Sequence, residues 1–145
     1  LRNQGYEHYE VSSFAAGAWD RSMHNSGYWK HRPYLGLGPS AHSFDGGCRW
    51  WNVSSVEDYL SLIQGGSQPA SGSEMLTSAD RLLEKLFLGL RTSDGVAASV
   101  IEGYPAWENG LEKLRELSLV RMRGSRLVPT IEGYLMADSL PLHFL

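Results

Sequence analysis

Leu82, Leu83, Leu86, Phe87 and Leu90 recur at the spacing of one helix face, with Arg81, Glu84 and Lys85 turned toward solvent; further on, the pattern changes period. From Leu119 to Val128 apolar and polar residues alternate on either side of Gly124-Ser125, which predicts a two-stranded hairpin. Between these segments lie a short helix around Ala97 to Glu102 and a longer one from Ala106 or Trp107 to Leu117 carrying Leu111, Leu114 and Leu117. Thr77 or Ser78 caps the first of these helices, Gly95 lies just past its end, and Thr130 caps a last helix bearing Ile131, Tyr134 and Leu135. Three helices followed by a hairpin is the order of a winged-helix unit, so this half of the chain is mixed α/β and mainly helical.

The other half reads differently. Tyr9 to Ser12 and Tyr34 to Leu37 have the character of short strands, each giving way to small and polar residues. Residues 15 to 33 are rich in Gly, Ser, His and aromatics without helical periodicity, and a loop after a strand end is where function is expected in a barrel of parallel strands. Pro33 disfavours helix at Arg32. Trp50 and Trp51 follow Gly46-Gly47 and face opposite ways in an extended segment, one inward and one outward. Ser54-Ser55 caps an amphipathic helix with Val56, Tyr59, Leu60 and Ile63 on one side, ended by Gly65-Gly66. Residues 65 to 72, with Pro69, read as a linker. The predicted division is 1–46, 47–75 and 76–145.

Composition narrows the function classes. With 145 residues, 42% hydrophobic and 20% charged, the chain can bury a core. A formal net charge of −3 supplies no global basic field for nucleic acid or an anionic membrane. Arg121, Arg123 and Arg126 on the hairpin, with Lys113 and Arg115 before it, make a local basic patch. Glu108, Glu112 and Glu116 share that helix and oppose phosphate binding, so winged-helix nucleic-acid binding is a less favoured alternative function and nucleic acid is not an expected partner. The single cysteine, Cys48, builds no disulfide framework and fits a reducing compartment, and no apolar run approaches membrane-spanning length, so the expected setting is cytoplasmic. Scattered acids and a Ser40/His42 pair without a third member support neither acid-base nor nucleophilic catalysis. His8, His24, His31 and His42 lack the spacing of a structural zinc site.

The chemistry concentrates in His24-Asn25-Ser26-Gly27-Tyr28-Trp29, where an imidazole, an amide and two large rings fall within a few positions. Neutral imidazole is the commonest metal ligand and a proximal ligand of haem iron. Tyr28 and Trp29 offer faces for an aromatic macrocycle, and Asn25 could orient the imidazole. The same residues also suit a polar histidine at a strand-to-loop junction with two aromatics packed on a core rim. The turn Gly36-x-Gly38-x-x-Ala41 either lets a backbone approach a ligand closely or simply joins two segments tightly.

Gly5-Tyr-Glu-His-Tyr-Glu-Val-Ser-Ser-Phe-Ala15, the His24 to Trp29 run, Tyr34-Leu-Gly-Leu-Gly-Pro-Ser-Ala-His-Ser43, Arg49-Trp-Trp-Asn52 and the segments Val56 to Gly66 and Thr77 to Arg91 together resemble the oxygen-independent coproporphyrinogen III oxidase-like radical SAM proteins. The His-Asn-x-x-Tyr-Trp signature is similar to that of the haem-chaperone branch. The resemblance implies the C-terminal remnant of a radical SAM (β/α) barrel followed by a small mainly helical winged-helix-like domain. It implies haem binding and delivery, with His24 on the iron, Tyr28 and Trp29 on the porphyrin and Asn25 orienting the imidazole; His42 is a rival ligand. It places Ala41 and His42 near an S-adenosylmethionine pocket. Haem and haem-accepting proteins are the implied partners, a membrane-associated acceptor among the candidates. The alternative within the family is coproporphyrinogen III oxidation. A four-iron, four-sulfur cluster with S-adenosylmethionine needs several thiolates, which the one cysteine cannot provide. The chain starts at Leu1 and is therefore expected to be the C-terminal part of a longer protein, inactive in radical chemistry alone.

Overall fold

Strands pair only antiparallel in this protein, in three small sheets. The computed structural model describes residues 1–145, which form two units, one of residues 1–30 with 82–145 and one of residues 31–81. These units divide the chain at 30 and 81, whereas the sequence pattern suggests 46 and 75.

At the N-terminus β1 (Glu7–Glu10) and β2 (Ser13–Ala15) form a hairpin. The stretch expected to be a loop without helix contains α1 (Met23–Trp29). Ser22 caps it, its Oγ accepting the Asn25 N–H at 3.2 Å, which satisfies one of the amides a helix start leaves unpaired. Periodicity could not reveal α1, because polar and aromatic residues surround it and none of them is fully buried.

Residues 31–81 carry a sheet of order β3 (His42–Phe44), β4 (Cys48–Asn52) and β5 (Ala70–Met75), with α2 (Val56–Gln64) between the last two strands. Ser55 caps α2 by accepting the Asp58 N–H at 3.1 Å, as its sequence predicts. Two sequence expectations fail here. The predicted linker from 65 to 72 runs into β5, a strand of small and exposed residues that takes its register from β4. Gly72 lies opposite Trp51, and a Cβ there would enter the Trp51 ring, so the glycine that reads as a linker residue is what lets the indole lie across the sheet. The predicted strand Tyr34–Leu37 is reduced to one bridge between Tyr34 and Phe44, with Leu35 and Leu37 exposed, because Gly36, Gly38 and Pro39 interrupt the ladder. Trp50 and Trp51 are both half-buried, so neither is the fully inward partner expected of the pair.

Thr77 and Asp80 form a reciprocal cap at the start of α3 (Ser78–Gly89). The Asp80 carboxylate accepts from the Thr77 N–H at 2.8 Å and hydroxyl at 2.7 Å, and Thr77 Oγ1 accepts the Asp80 N–H at 3.1 Å. The Thr77 hydroxyl, then its amide, holds the Asp80 carboxyl below its usual value of 3.8. A carboxyl whose folded pKa is depressed stabilises the fold above the unfolded pKa and loses that contribution as pH falls through the folded one. Amide exchange at Asp80 and Arg81 is therefore expected to accelerate relative to the α2 interior on acidification below 3.8, and Asp80→Asn should abolish the difference. Equal pH profiles for Asp80 and Asp80→Asn would refute this role.

The larger unit continues from α3 through β6 (Val96–Ala97), α4 (Ala98–Ile101), α5 (Trp107–Glu116), the hairpin β7 (Val120–Arg123) and β8 (Arg126–Pro129), and α6 (Ile131–Leu135), closing with a 3-10 turn at Leu140–His143. Its sheet has the order β6-β8-β7. The apolar stripe read from the sequence supplies the centre: Leu86 from α3 and Leu90 just past its end meet Ile101, Leu114, Leu127, Leu140 and Phe144, all essentially inaccessible to solvent. The N-terminal hairpin belongs to this unit because its backbone is sewn to the loop after α3. Val11 N–H donates to the Arg91 carbonyl at 3.0 Å, and Ser93 N–H to the Tyr9 carbonyl at 2.8 Å. Beyond its local pairing with β2, β1 is thus bridged to a distant segment, Glu10 lying opposite Thr92, which local pattern cannot show.

Candidate functional site

α1 is set in place from its N-terminal side. The Ser22 N–H donates to the Tyr9 hydroxyl at 3.1 Å, and Tyr9 is buried in β1. Arg21, one residue earlier, forks onto Glu7 with Nε at 3.2 Å from Oε2 and a second, shorter bond to Oε1; it also reaches Asp94 Oδ1 at 3.2 Å and covers the Tyr9 ring at 5.4 Å. The Glu7 hydrogen bonds raise the Arg21 guanidinium pKa further despite partial burial. Partners 14 and 73 positions away hold this arginine, so no local signal announces it.

On that anchored helix His24 and Tyr28 are neighbours one turn apart. Their rings meet edge to face, centroids 4.9 Å apart at 87°. The imidazole is exposed and makes no hydrogen bond, so a ring nitrogen is available to a ligand. Tyr28 is 37% exposed and forms the adjacent wall. The other two residues of the signature are not brought to this face. The Asn25 backbone is taken by the Ser22 cap and no hydrogen bond joins its amide to His24, since adjacent helix positions diverge by about 100°. Trp29 lies about 140° around the helix from His24. It stacks under the Arg91 guanidinium at 5.4 Å, and its indole Nε1 is buried without a partner.

Behind α1, a cavity of about 300 Å³ is lined by Ser26, Trp29 and Lys30 of the helix together with Arg21, Lys85, Asp94, Val100 and Arg126. His24 and Tyr28 do not border it. The exposed ring pair and the cavity therefore occupy different faces of the same helix.

Ala41 and His42 belong to the other unit. His42 is exposed at the start of β3, its ring tilted against Trp51 at 5.7 Å. The turn before it spends its backbone groups within the fold. Gly36 N–H donates to Ser43 Oγ at 2.9 Å, Gly38 N–H to the Tyr59 hydroxyl at 3.1 Å, and Asn52 Nδ2 donates to the Gly38 carbonyl at 2.9 Å. A Cβ on Gly36 would strike the His42 carbonyl, so the close approach that glycine permits there is between two stretches of this chain.

Cys48 is the sole thiol, and no group of three His, Cys, Asp or Glu side chains is placed to hold a metal ion. The residues present do not fit an iron–sulfur cluster, and no step of radical chemistry is assigned to them. No helix is long and apolar enough to cross a membrane.

No family model matches the chain. Among characterised sequences it is 32% identical over 146 residues to the heme chaperone HemW of Bacillus subtilis, covering 97% of this chain and 38% of that protein. It is equally 32% identical over 140 residues to HemW of Mycobacterium tuberculosis, covering 97% and 35%. The mitochondrial radical S-adenosyl methionine domain-containing protein 1 of Bos taurus is 28% identical over 162 residues, covering all of this chain and 36% of that protein. Among solved structures, coproporphyrinogen III oxidase HemN of Escherichia coli, a radical SAM enzyme, superposes with a TM-score of 0.58 at 17% identity, over 99% of this chain and 32% of HemN, which establishes likeness of fold. The chain thus spans little more than a third of the length of the relatives it matches. With a mixed α/β fold like that of HemN and sequence likeness to HemW along nearly its whole length, the chain is similar to the haem-chaperone branch of the oxygen-independent coproporphyrinogen III oxidase-like radical SAM family.

Proposed function

We propose that the chain serves as the haem-handling C-terminal part of a haem chaperone, with His24 as the axial ligand of haem iron and Tyr28 packed beside the porphyrin. The observation that carries this is an exposed imidazole free of hydrogen bonds, edge-on to Tyr28, on a helix anchored through Ser22 and Arg21. Trp29, turned to the other face, holds α1 against Arg91 and supports the site from behind. Asn25 contributes to the helix start rather than to imidazole orientation. Haem is cargo in this scheme, carried in the cytoplasm and handed to haem-requiring acceptors, membrane-associated ones included. Ala41 and His42 belong to the S-adenosylmethionine side of a whole protein whose cluster ligands lie outside this chain. In that whole protein residues 1–46 form the end of the barrel, 47–75 a connector and 76–145 a winged-helix-like domain; the helix, strand, helix, helix, hairpin order and the β6-β8-β7 sheet support the last assignment. Porphyrinogen oxidation is the second reading, favoured by the fold of HemN.

A haem titration by absorbance, in oxidised and reduced states, tests the site. The chain and His42→Ala should show a saturable Soret shift that His24→Ala loses. Equal binding by His24→Ala removes His24 from this role, and loss in His42→Ala transfers it to the rival.

A further inference from the structure

The cavity behind α1 carries a charge imbalance that the haem reading does not use. Its lining holds four cationic side chains, Arg21, Lys30, Lys85 and Arg126, against one carboxylate, Asp94. Arg21 is already matched by Glu7 and by that same Asp94. Arg126 donates from Nε to the Asp94 carbonyl at 2.6 Å and from a terminal nitrogen to the Gly95 carbonyl at 2.8 Å. Neutral acceptors thus fix its position and leave its charge uncompensated. Lys30 and Lys85 form no ion pair at all, and they come from the end of α1 and the middle of α3. Three unbalanced positive groups around one concavity raise its potential and concentrate anions there. Trp29 supplies an apolar wall beside them. At about 300 Å³ the space is at the lower limit of small-molecule sites, which calls for a small body.

We infer that this cavity is a second binding site, for a small organic oxyanion: a carboxylate or phosphate monoester on an apolar body. Lys30 and Lys85 grip the oxyanion as mobile point charges, Arg126 adds a fixed one from β8, and the body lies against Trp29. Because His24 and Tyr28 do not border the cavity, occupancy here is independent of iron ligation.

The test is an NMR titration of the full chain with phenyl phosphate, benzoate, inorganic phosphate and phenol, read at the Trp29 indole N–H and the Val96 and Val100 amides. Phenyl phosphate, benzoate or both should give saturable shifts at these positions; which of the two binds assigns the phosphate or the carboxylate as the recognised group. The Lys30→Gln/Lys85→Gln variant should weaken binding by about tenfold or more, and added salt should weaken it further. Both lysines are exposed, so the variant keeps its fold. His24→Ala should bind the probe unchanged while losing the haem shift, which separates failure of one site from failure of the other. The inference is overturned if phenol binds as tightly as phenyl phosphate, if the double variant binds undiminished, if inorganic phosphate alone reproduces the shifts, or if the folded chain shows no saturable response.

Discussion

Truncation of Phe144 to alanine is expected to destabilise the larger unit by about 4 kcal/mol, the largest effect of any single side chain removed from this protein. Phe144 is second to last in the chain, where residues are ordinarily frayed, yet it is fully buried in the cluster with Leu114, Leu127 and Leu140. The contact is tight because Gly110 on α5 admits the terminal turn: a Cβ there would strike the His143 carbonyl and approach the Phe144 ring. Removing the ring leaves a cavity that α5 and the turn cannot collapse to fill, since their backbones already touch. Urea unfolding should show the loss, with a fall in Tm of roughly 15 °C or more. Leu145→Ala, one position on and 60% exposed, should change stability by less than about 0.5 kcal/mol. A Phe144→Ala protein as stable as Leu145→Ala would mean that the terminal turn is not docked in solution.

Gly95→Ala is expected to be nearly as damaging, and Gly124→Ala separates its causes. Both glycines have left-handed backbones, φ 62° and 60°, so alanine costs about 1 kcal/mol of backbone strain at either. Around Gly124, at the tip of the β7–β8 hairpin, a Cβ meets nothing within 4 Å. At Gly95 it would collide with the Leu127 carbonyl and the Val128 side chain, driving β6 off β8 and disturbing the carbonyl that holds Arg126. Gly95→Ala should therefore cost about 3 kcal/mol or more and Gly124→Ala about 1 kcal/mol, read by urea midpoints. Equal losses would show that backbone conformation alone, and not the packing of β6 on β8, makes glycine necessary at Gly95.

The elements that the sequence anticipated share one property, a side-chain pattern that repeats within a few residues. α2, α3 and α5 carry apolar residues at helical spacing, Ser55, Thr77 and Thr130 cap where capping chemistry predicts, and the hairpin alternates about Gly124-Ser125. The elements that escaped have no such repeat. α1 presents imidazole, amide and aromatic rings on every side and is a helix because Ser22 caps it and Tyr9 and Arg21 hold its start. β5 begins with the small residues Ala, Ser, Gly and Ser before Glu74 and Met75, and only pairing with β4 makes it a strand. Tyr34 to Leu37 looks like a strand and makes one bridge, because its glycines are used in a turn bonded to Ser43, Asn52 and Tyr59.

The candidate site divides in the same way. His24, Tyr28 and the family signature were visible in the sequence, since residue identity and short spacing are sequence properties. Which of the signature residues share a face required the helix, and which groups surround its other side required distant segments: Lys30, Lys85 and Arg126 line one cavity only because β1, α3 and β8 fold together. Residue chemistry, the amphipathic helices and the hairpin were legible in the sequence, because each rests on forces acting within a turn or a strand pair. Tertiary structure decided that the Ser22-capped α1 is anchored through Tyr9, Glu7 and Asp94, which face of it is covered, and that unmatched cations meet behind it. Those outcomes depend on contacts between residues far apart in the chain, which burial and hydrogen bonding select and no local pattern encodes.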